Sequence, residues 1–228
     1  MSYFFSKMRD AIQKGLYFVI NPFVRLLIKC GITPNMVTTI GLLGQIAGAV
    51  ILVMAGYKVM TAGVHDYALV TLGGAVIIIF SLFDMLDGQV ARLGNMVSRF
   101  GAFYDSVLDR YCELFCLGGI SYYLIESGSL FGALVTFLAI VGSLMVSYTR
   151  ARAEGLGLEC KVGFMQRPER VVITCLSLLA TGLTGLCANY KGNGFSPDII
   201  LIVAMCILAL FSNVTAFARM NHCRKQLQ

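Results

Sequence analysis

The chain has 228 residues, of which 57% are hydrophobic and only 13% are charged, with a formal net charge of +6. Its mean hydropathy of +0.78 lies far outside the range of soluble domains and excludes that class. The composition therefore predicts an integral membrane protein.

The first 30 residues form a distinct N-terminal segment. Apolar residues such as Phe4, Phe5 and Leu16 alternate with charged ones at helical spacing, and Asn21-Pro22 interrupts the run. A signal peptide would show one uninterrupted apolar core and a small-residue cleavage site. We therefore predict that residues 1–30 form an amphipathic juxtamembrane arm lying in the membrane interface, and that residues 31–228 form the membrane domain.

The rest of the chain contains apolar stretches long enough to cross a bilayer core, which takes about 20 residues each. The stretches are continuous and do not alternate, so a β-barrel is disfavoured. The predicted fold is an all-α integral membrane protein with six transmembrane helices and the N-terminal interfacial helix. The predicted spans are residues 36–57, 66–86, 99–124, 129–151, 169–188 and 197–220.

Proline marks the start of three of these helices. The dipeptides Thr33-Pro34, Arg167-Pro168 and Ser196-Pro197 precede the first, fifth and sixth spans. Proline is well tolerated in a first helical turn, because its missing N–H has no intrahelical acceptor there. These three positions therefore predict helix starts.

The basic residues predict the orientation, since Lys and Arg accumulate on the cytoplasmic side of a membrane. With six spans, all of the 18 basic residues except Lys58 and Lys191 fall on one side. Both termini are therefore expected to face the cytoplasm, in a multi-pass protein of the inner cell membrane.

Four carboxylates occur in the apolar region between residues 84 and 109. Asp84 and Asp87 are three residues apart and Asp105 and Asp109 four apart, so each pair shares a helix face. With span two ending near Gly88 and span three starting near Ser98, the four side chains are predicted to converge at the cytoplasmic edge. Such a cluster requires cations, and hard oxygen ligands favour Mg²⁺, with Mn²⁺ possible, as a pair of ions.

Other interpretations of the acidic residues are weaker. Acids near helix ends are often merely interfacial, but four of the chain's 12 acidic residues at these spacings argue against that. A cation transporter or channel would spread its acids along a route through the bilayer, and a scaffolding protein would need no acidic cluster. The eight scattered cysteines, with His65 and His222, indicate neither a disulfide framework nor a zinc site.

This acidic segment resembles the signature of the CDP-alcohol phosphotransferases. The matching pattern reads Asp84-x2-Asp87-Gly88-x2-Ala91-Arg92-x8-Gly101-x3-Asp105-x3-Asp109. The resemblance implies a magnesium-dependent membrane enzyme, typically a homodimer, that transfers a phosphatidyl group from CDP-diacylglycerol or a similar CDP-lipid to an alcohol and releases CMP. No nucleic acid partner is expected.

The resemblance also implies roles for single residues. Asp84, Asp87, Asp105 and Asp109 correspond to metal ligands, and Asp109 also to the general base. The residues that correspond to donor contacts are Thr33, Pro34, Asn35, Met36, Gly88, Arg92 and Ser98. Independently, Gly88 would allow a phosphate to approach the backbone, and Arg92 could bind a diphosphate oxygen.

A second basic cluster bears on the acceptor alcohol. Residues 147–158 and the Arg167 to Arg170 segment resemble the phosphatidylinositol phosphate synthase branch, which implies inositol phosphate as acceptor. In that branch Arg150, either Arg167 or Arg170, and Arg219 correspond to acceptor-phosphate contacts, although lysine is common at the position of Arg150. Guanidinium groups suit a phosphate. Glycerol 3-phosphate also carries one, so it remains the alternative acceptor.

Overall fold

The computed structural model describes residues 20–188 and 196–228, and every regular element within these ranges is an α-helix. Residues 20–29 are helical and are called α1. The helices that follow are α2 (Pro34–Ala62), α3 (Tyr67–Ser81), α4 (Phe83–Leu93), α5 (Arg99–Glu126), α6 (Leu130–Glu154), α7 (Arg167–Cys187) and α8 (Asp198–Leu227). Positions 1–19 of the predicted amphipathic arm lie outside the described residues.

Five helices of the described chain are long and apolar enough to cross a membrane, one fewer than the six predicted. They are α2, the α3–α4 stretch Tyr67–Leu93, α6, α7 and α8. Helix α5 has sufficient length, at 28 residues, but is not among them. Its sequence includes six charged residues, namely Arg99, Asp105, Asp109, Arg110, Glu113 and Glu126. Charge, rather than length, therefore distinguishes α5 from the other long helices.

The second predicted span is two helices instead of one. Helix α3 ends at Ser81 and α4 starts at Phe83, with Leu82 at the N-cap and no side-chain capping bond there. The prediction that this span ends near Gly88 is wrong, because α4 continues through Gly88 to Leu93. A glycine inside a helix costs only about 1 kcal/mol relative to alanine, which the other residues of the helix can offset.

The helix starts agree with the proline pattern. Helix α2 begins at Pro34, α7 begins at Arg167 with Pro168 in its first turn, and α8 begins directly after Pro197. Serine hydroxyls cap two further helices: Ser98 Oγ accepts the Gly101 N–H at the start of α5, and Ser129 Oγ accepts the Gly132 N–H at the start of α6. Each cap satisfies a backbone donor that has no partner within the helix.

The chain divides into two compact parts, each with its own apolar core. The first comprises the described residues up to Leu43 together with Phe80–Asp109, and its core is formed by Val24, Val37, Leu86 and Val90. The second comprises Gly44–Ile79 and Arg110–Gln228. Its larger core includes Leu52, Tyr123 and Leu208, and within it α8 packs against α6 and α7.

The connection between α6 and α7 contains an irregular segment, residues 159–165, that lies alongside the last turns of α8. Gln226 Nε2 donates to the Glu159 carbonyl at 3.1 Å, and Arg219 Nε donates to the Val162 carbonyl at 2.9 Å. At the other end of the segment, the Met165 N–H donates to Thr215 Oγ1 at 3.2 Å. Polar contacts at residues 215, 219 and 226 thus attach the segment along the last turns of α8.

Asp66 caps α3 and pairs with Lys58. Its Oδ1 accepts the Leu69 N–H at 3.1 Å, and its Oδ2 lies 2.7 Å from Lys58 Nζ. The hydrogen bond from Lys58 is the main cause that lowers the pKa of Asp66. A carboxyl with a lowered pKa stabilises the fold above its unfolded pKa of about 4, and this stabilisation is lost as the pH falls through the folded value.

We expect Asp66→Ala to lower the free energy of unfolding by about 1 kcal/mol at neutral pH, because a helix cap and an ion pair are lost. Asp66→Asn keeps a capping acceptor and should cost less. Thermal unfolding in detergent at pH 7 and below pH 4 measures both. A cost of Asp66→Ala that grows on acidification would contradict this account.

Candidate metal and substrate site

The acidic motif places three carboxylates around one point. Asp84 lies in the first turn of α4, and Asp105 and Asp109 lie one turn apart on α5. One carboxylate oxygen from each residue lies within 4.8 Å of the other two, and all three residues are half-buried. The i, i+4 spacing on α5 therefore directs both of its acids toward Asp84, as the sequence pattern predicts.

The fourth predicted ligand, Asp87, is not part of this group of three. Its side chain is 5% exposed, and its Oδ2 accepts a hydrogen bond from Thr38 Oγ1 at 2.7 Å. Asp84 and Asp105 are nevertheless its charged neighbours. The convergence of four carboxylates predicted from spacing is thus observed for three, with the fourth adjacent and bonded to α2.

The chemistry of this cluster fits a divalent cation. Three carboxylate oxygens at this separation repel one another strongly, because water provides little screening at half-buried positions. Oxygen-only donor sets suit Mg²⁺ and Mn²⁺ better than zinc. Asp84, Asp105 and Asp109 could therefore hold such an ion, whose charge would offset their mutual repulsion.

A cavity of about 240 Å³ opens beside Asp87 and Asp105. Five of the predicted donor-contact residues line it, whereas Thr33 and Met36 do not. Met36 is instead half-exposed, and its backbone N–H points to Thr33 Oγ1 at 3.4 Å in the first turn of α2. The predicted residues at the cavity wall are Pro34, Asn35, Gly88, Arg92 and Ser98.

Gly101 permits a close approach between α2 and α5 at this cavity. A Cβ at position 101 would lie 2.9 Å from Ser98 Oγ and 3.4 Å from Asn35 Oδ1. Any larger residue would therefore push against the hydroxyl that caps α5 and would come into contact with the amide on α2. Gly101 keeps both polar groups at the cavity wall.

The predicted acceptor arginines lie in the second compact part. Arg150 is partly exposed and pairs with Glu154 one turn later at 2.9 Å. Arg219 is buried and donates to two backbone carbonyls, those of Val162 and Val146. Arg167 is half-buried in the first turn of α7.

Arg170 makes a two-point ion pair with Glu113. Its guanidinium, 2% exposed, donates to both oxygens of Glu113, from Nε at 2.6 Å and from Nη2 at 3.0 Å. Its Nη1 donates to the Met165 carbonyl at 3.4 Å. Three nitrogens of this predicted phosphate-binding group are thus engaged within the protein.

Sequence reasoning missed two residues of these sites, Thr38 and Glu113. Glu113 is an acid in an otherwise apolar stretch of α5, and such residues require a partner, so a search for that partner would have identified Arg170 as a candidate. Thr38 gives no comparable signal, because threonines are common in membrane helices and usually bond to their own backbone. Its carboxylate partner is 49 residues away in the chain.

Residues 31–218 match the CDP-alcohol phosphatidyltransferase family. Similar curated proteins include the phosphatidylinositol phosphate synthase of Streptomyces avermitilis, 34% identical over 210 residues that make up 91% of this chain and 79% of the relative. The protein of the same name from Cutibacterium acnes is 30% identical over 222 residues, 96% of this chain and 98% of the relative.

Solved structures of Mycobacterium tuberculosis phosphatidylinositol phosphate synthase are also similar. The crystal structure with CDP-DAG bound gives a TM-score of 0.72 at 30% identity and covers 89% of this chain and 92% of that chain. The structure in complex with manganese and citrate gives a TM-score of 0.71 at 30% identity, covering 89% and 87% of the two chains.

Proposed function

Because this chain belongs to the CDP-alcohol phosphatidyltransferase family, we propose that it transfers the phosphatidyl group of CDP-diacylglycerol to a hydroxyl of inositol phosphate and releases CMP. The observation that carries the proposal is the cluster of Asp84, Asp105 and Asp109, with a cavity beside Asp105. The names of the similar synthases support inositol phosphate as acceptor, and the CDP-DAG bound to a similar structure supports the donor.

The proposed metal ligands are Asp84, Asp87, Asp105 and Asp109, holding two Mg²⁺ ions, with Mn²⁺ as a substitute. Support comes from the oxygen-only donor set and from the manganese in a similar solved structure. Bound divalent cations would stabilise negative charge on the transferring phosphate. In this proposal Asp87 completes the ligand set from its position next to Asp84 and Asp105.

Asp109 is the proposed general base. Its carboxylate takes the proton of the acceptor hydroxyl as that oxygen forms a new bond to the donor's phosphorus, while the bond to the CMP oxygen breaks. The donor loses CMP, and the proton stays on Asp109 until it passes to solvent. A positioned carboxylate is required because a neutral alcohol is a weak nucleophile.

The donor nucleotide is proposed to bind in the cavity lined by Pro34, Asn35, Gly88, Arg92 and Ser98, with Thr33 and Met36 forming the adjoining turn. Its volume of about 240 Å³ suits part of such a ligand rather than its lipid tails. Arg150, Arg167, Arg170 and Arg219 are the proposed contacts of the acceptor's phosphate, on the ground of their charge and planar donor geometry.

The proposed topology has six spans, with α3 and α4 together forming one and α5 added to the five apolar ones. Charged residues in α5 are expected if its polar face serves catalysis. Residues 1–30 are proposed as the interfacial arm and 31–228 as the membrane domain. The distribution of Lys and Arg supports a cytoplasmic active site and cytoplasmic termini, and the family resemblance supports a homodimer.

A panel of acceptors tests the proposed function. We expect purified protein with CDP-diacylglycerol and Mg²⁺ to release CMP when given inositol phosphate, and to do so much more slowly with inositol, glycerol 3-phosphate or serine. Mass spectrometry of the lipid product identifies the acceptor. Preferred use of glycerol 3-phosphate would overturn the choice of acceptor while leaving the reaction class intact.

Excess chelator provides the matching control on the metal. Turnover should stop when EDTA is added and return when Mg²⁺ or Mn²⁺ is restored in excess. Full turnover in the chelator would refute the metal-dependent mechanism.

A further inference from the structure

Thr38 links helix α2 to the acidic motif through a single hydrogen bond. Its Oγ1 lies 2.7 Å from Asp87 Oδ2 and 3.1 Å from the carbonyl of Pro34. Both side chains are buried, Thr38 at 9% exposed and Asp87 at 5%. Few water molecules can therefore replace either partner.

The hydroxyl donates to the carboxylate in preference to the backbone. A threonine hydroxyl has one proton, so it serves one acceptor at a time. The carboxylate oxygen is nearer by 0.4 Å and carries charge, and hydrogen bonds to charged acceptors are roughly twice as strong as neutral ones. Asp87 Oδ2 is therefore the main partner of Thr38.

This bond restricts the one predicted ligand that lies outside the group of three. Asp87 has Asp84 and Asp105 as charged neighbours. A carboxylate offers about four lone-pair sites, so the hydrogen bond from Thr38 leaves it able to accept a cation as well. Without Thr38, repulsion from Asp84 and Asp105 would favour rotation of the Asp87 carboxylate away from them.

We propose that Thr38 is a positioning residue for the metal site, its hydroxyl holding Asp87 in the orientation from which that carboxylate binds a divalent cation. The inference rests on the proposed metal role of Asp87. Partners that orient metal ligands in this way contribute about 10- to 100-fold to metal affinity in other proteins. Thr38 is thus expected to influence metal affinity through Asp87, an effect that does not depend on contact between Thr38 and substrate.

The adjacent Thr39 offers a matched control. It lies on the same turn of α2, and its hydroxyl bonds to the Asn35 carbonyl at 2.7 Å and to the Tyr104 hydroxyl at 3.0 Å. Neither partner is a carboxylate, and Thr39 does not line the cavity. Thr39→Val removes the same hydroxyl from the same helix without touching Asp87.

The test measures Mn²⁺ binding by electron paramagnetic resonance in the absence of both substrates. We expect Thr38→Val to weaken Mn²⁺ affinity about 10- to 100-fold and to raise the Mg²⁺ concentration needed for half-maximal turnover by a similar factor. Thr38→Ser, which retains the hydroxyl, should bind Mn²⁺ almost as tightly as the parent protein. Thr39→Val should leave Mn²⁺ affinity unchanged.

Each outcome has a separate meaning. Unchanged Mn²⁺ affinity in folded Thr38→Val overturns the positioning role, as does equal weakening in Thr38→Ser or Thr39→Val. If Thr38→Val fails to fold, Thr38→Ala removes the hydroxyl without a second branched methyl group, and unchanged Mn²⁺ affinity in that folded variant overturns the positioning role in the same way. If the parent protein itself binds no Mn²⁺, the proposed metal function is overturned, and the positioning role of Thr38 with it.

Discussion

Replacement of Asp109 by asparagine is expected to lower the turnover number about 10²- to 10⁴-fold, the range that a positioned general base contributes. The amide has almost the shape of the carboxylate but accepts no proton from the alcohol. It is also a weaker ligand for a hard cation. CMP release under saturating donor and acceptor measures the effect.

Mn²⁺ binding separates the two proposed roles of Asp109. If Asp109→Asn binds Mn²⁺ nearly normally and turnover is lost, the missing function is that of the base. If Mn²⁺ affinity falls in parallel, the ligand role accounts for part of the loss. Asp66→Asn, at an aspartate outside the cluster, serves as the control. A near-normal turnover rate in Asp109→Asn would assign the role of general base to another residue.

Removal of Glu113 is expected to destabilise the protein by about 3–5 kcal/mol, the cost of leaving a buried charge without its partner. The Glu113→Ala variant leaves the Arg170 guanidinium, 2% exposed, with only the Met165 carbonyl among the contacts described above. Unfolding by heat or by denaturant, carried out in detergent, measures the loss of stability. A cost below about 1 kcal/mol, typical of exposed pairs, would show that water screens this pair.

A double variant separates stability from substrate binding at this pair. Glu113→Leu with Arg170→Met replaces both charges with apolar groups, which is often neutral or stabilising for a buried pair. We expect it to recover most of the lost stability. If Arg170 also binds the acceptor's phosphate, the recovered protein should still show a raised KM for inositol phosphate and an unchanged KM for the CDP-lipid. Arg150→Ala, at an exposed pair, is the stability control.

The sequence predicted the helices well where one signal dominated. Continuous apolar runs and prolines at Pro34, Pro168 and Pro197 located the starts of α2, α7 and α8. The break at Leu82 was missed because neither proline nor glycine marks it. The predicted helix end near Gly88 is also wrong, because a single glycine is too weak a signal to terminate a helix whose other residues pack well.

The candidate site was predictable as far as helical periodicity reaches. The four-residue spacing of Asp105 and Asp109 was sufficient to place both on one face of α5, and in the structure both lie near Asp84. The positions of Thr38 and Glu113 depend on pairs 49 and 57 residues apart, and no local pattern encodes such contacts. Spacing therefore identified the three acids whose oxygens lie together but also predicted Asp87, which lies outside that group, and tertiary packing determined the hydrogen-bond partner of Asp87.

The segment 159–165 has a consequence for how the protein responds to a protease. Irregular connections between helices are usually the first places to be cut, because they open locally at little cost. Here the backbone of Glu159, Val162 and Met165 is bonded to side chains of α8, so cleavage requires the end of that helix to detach first. The connection between α6 and α7 should therefore remain intact for as long as the end of α8 stays folded.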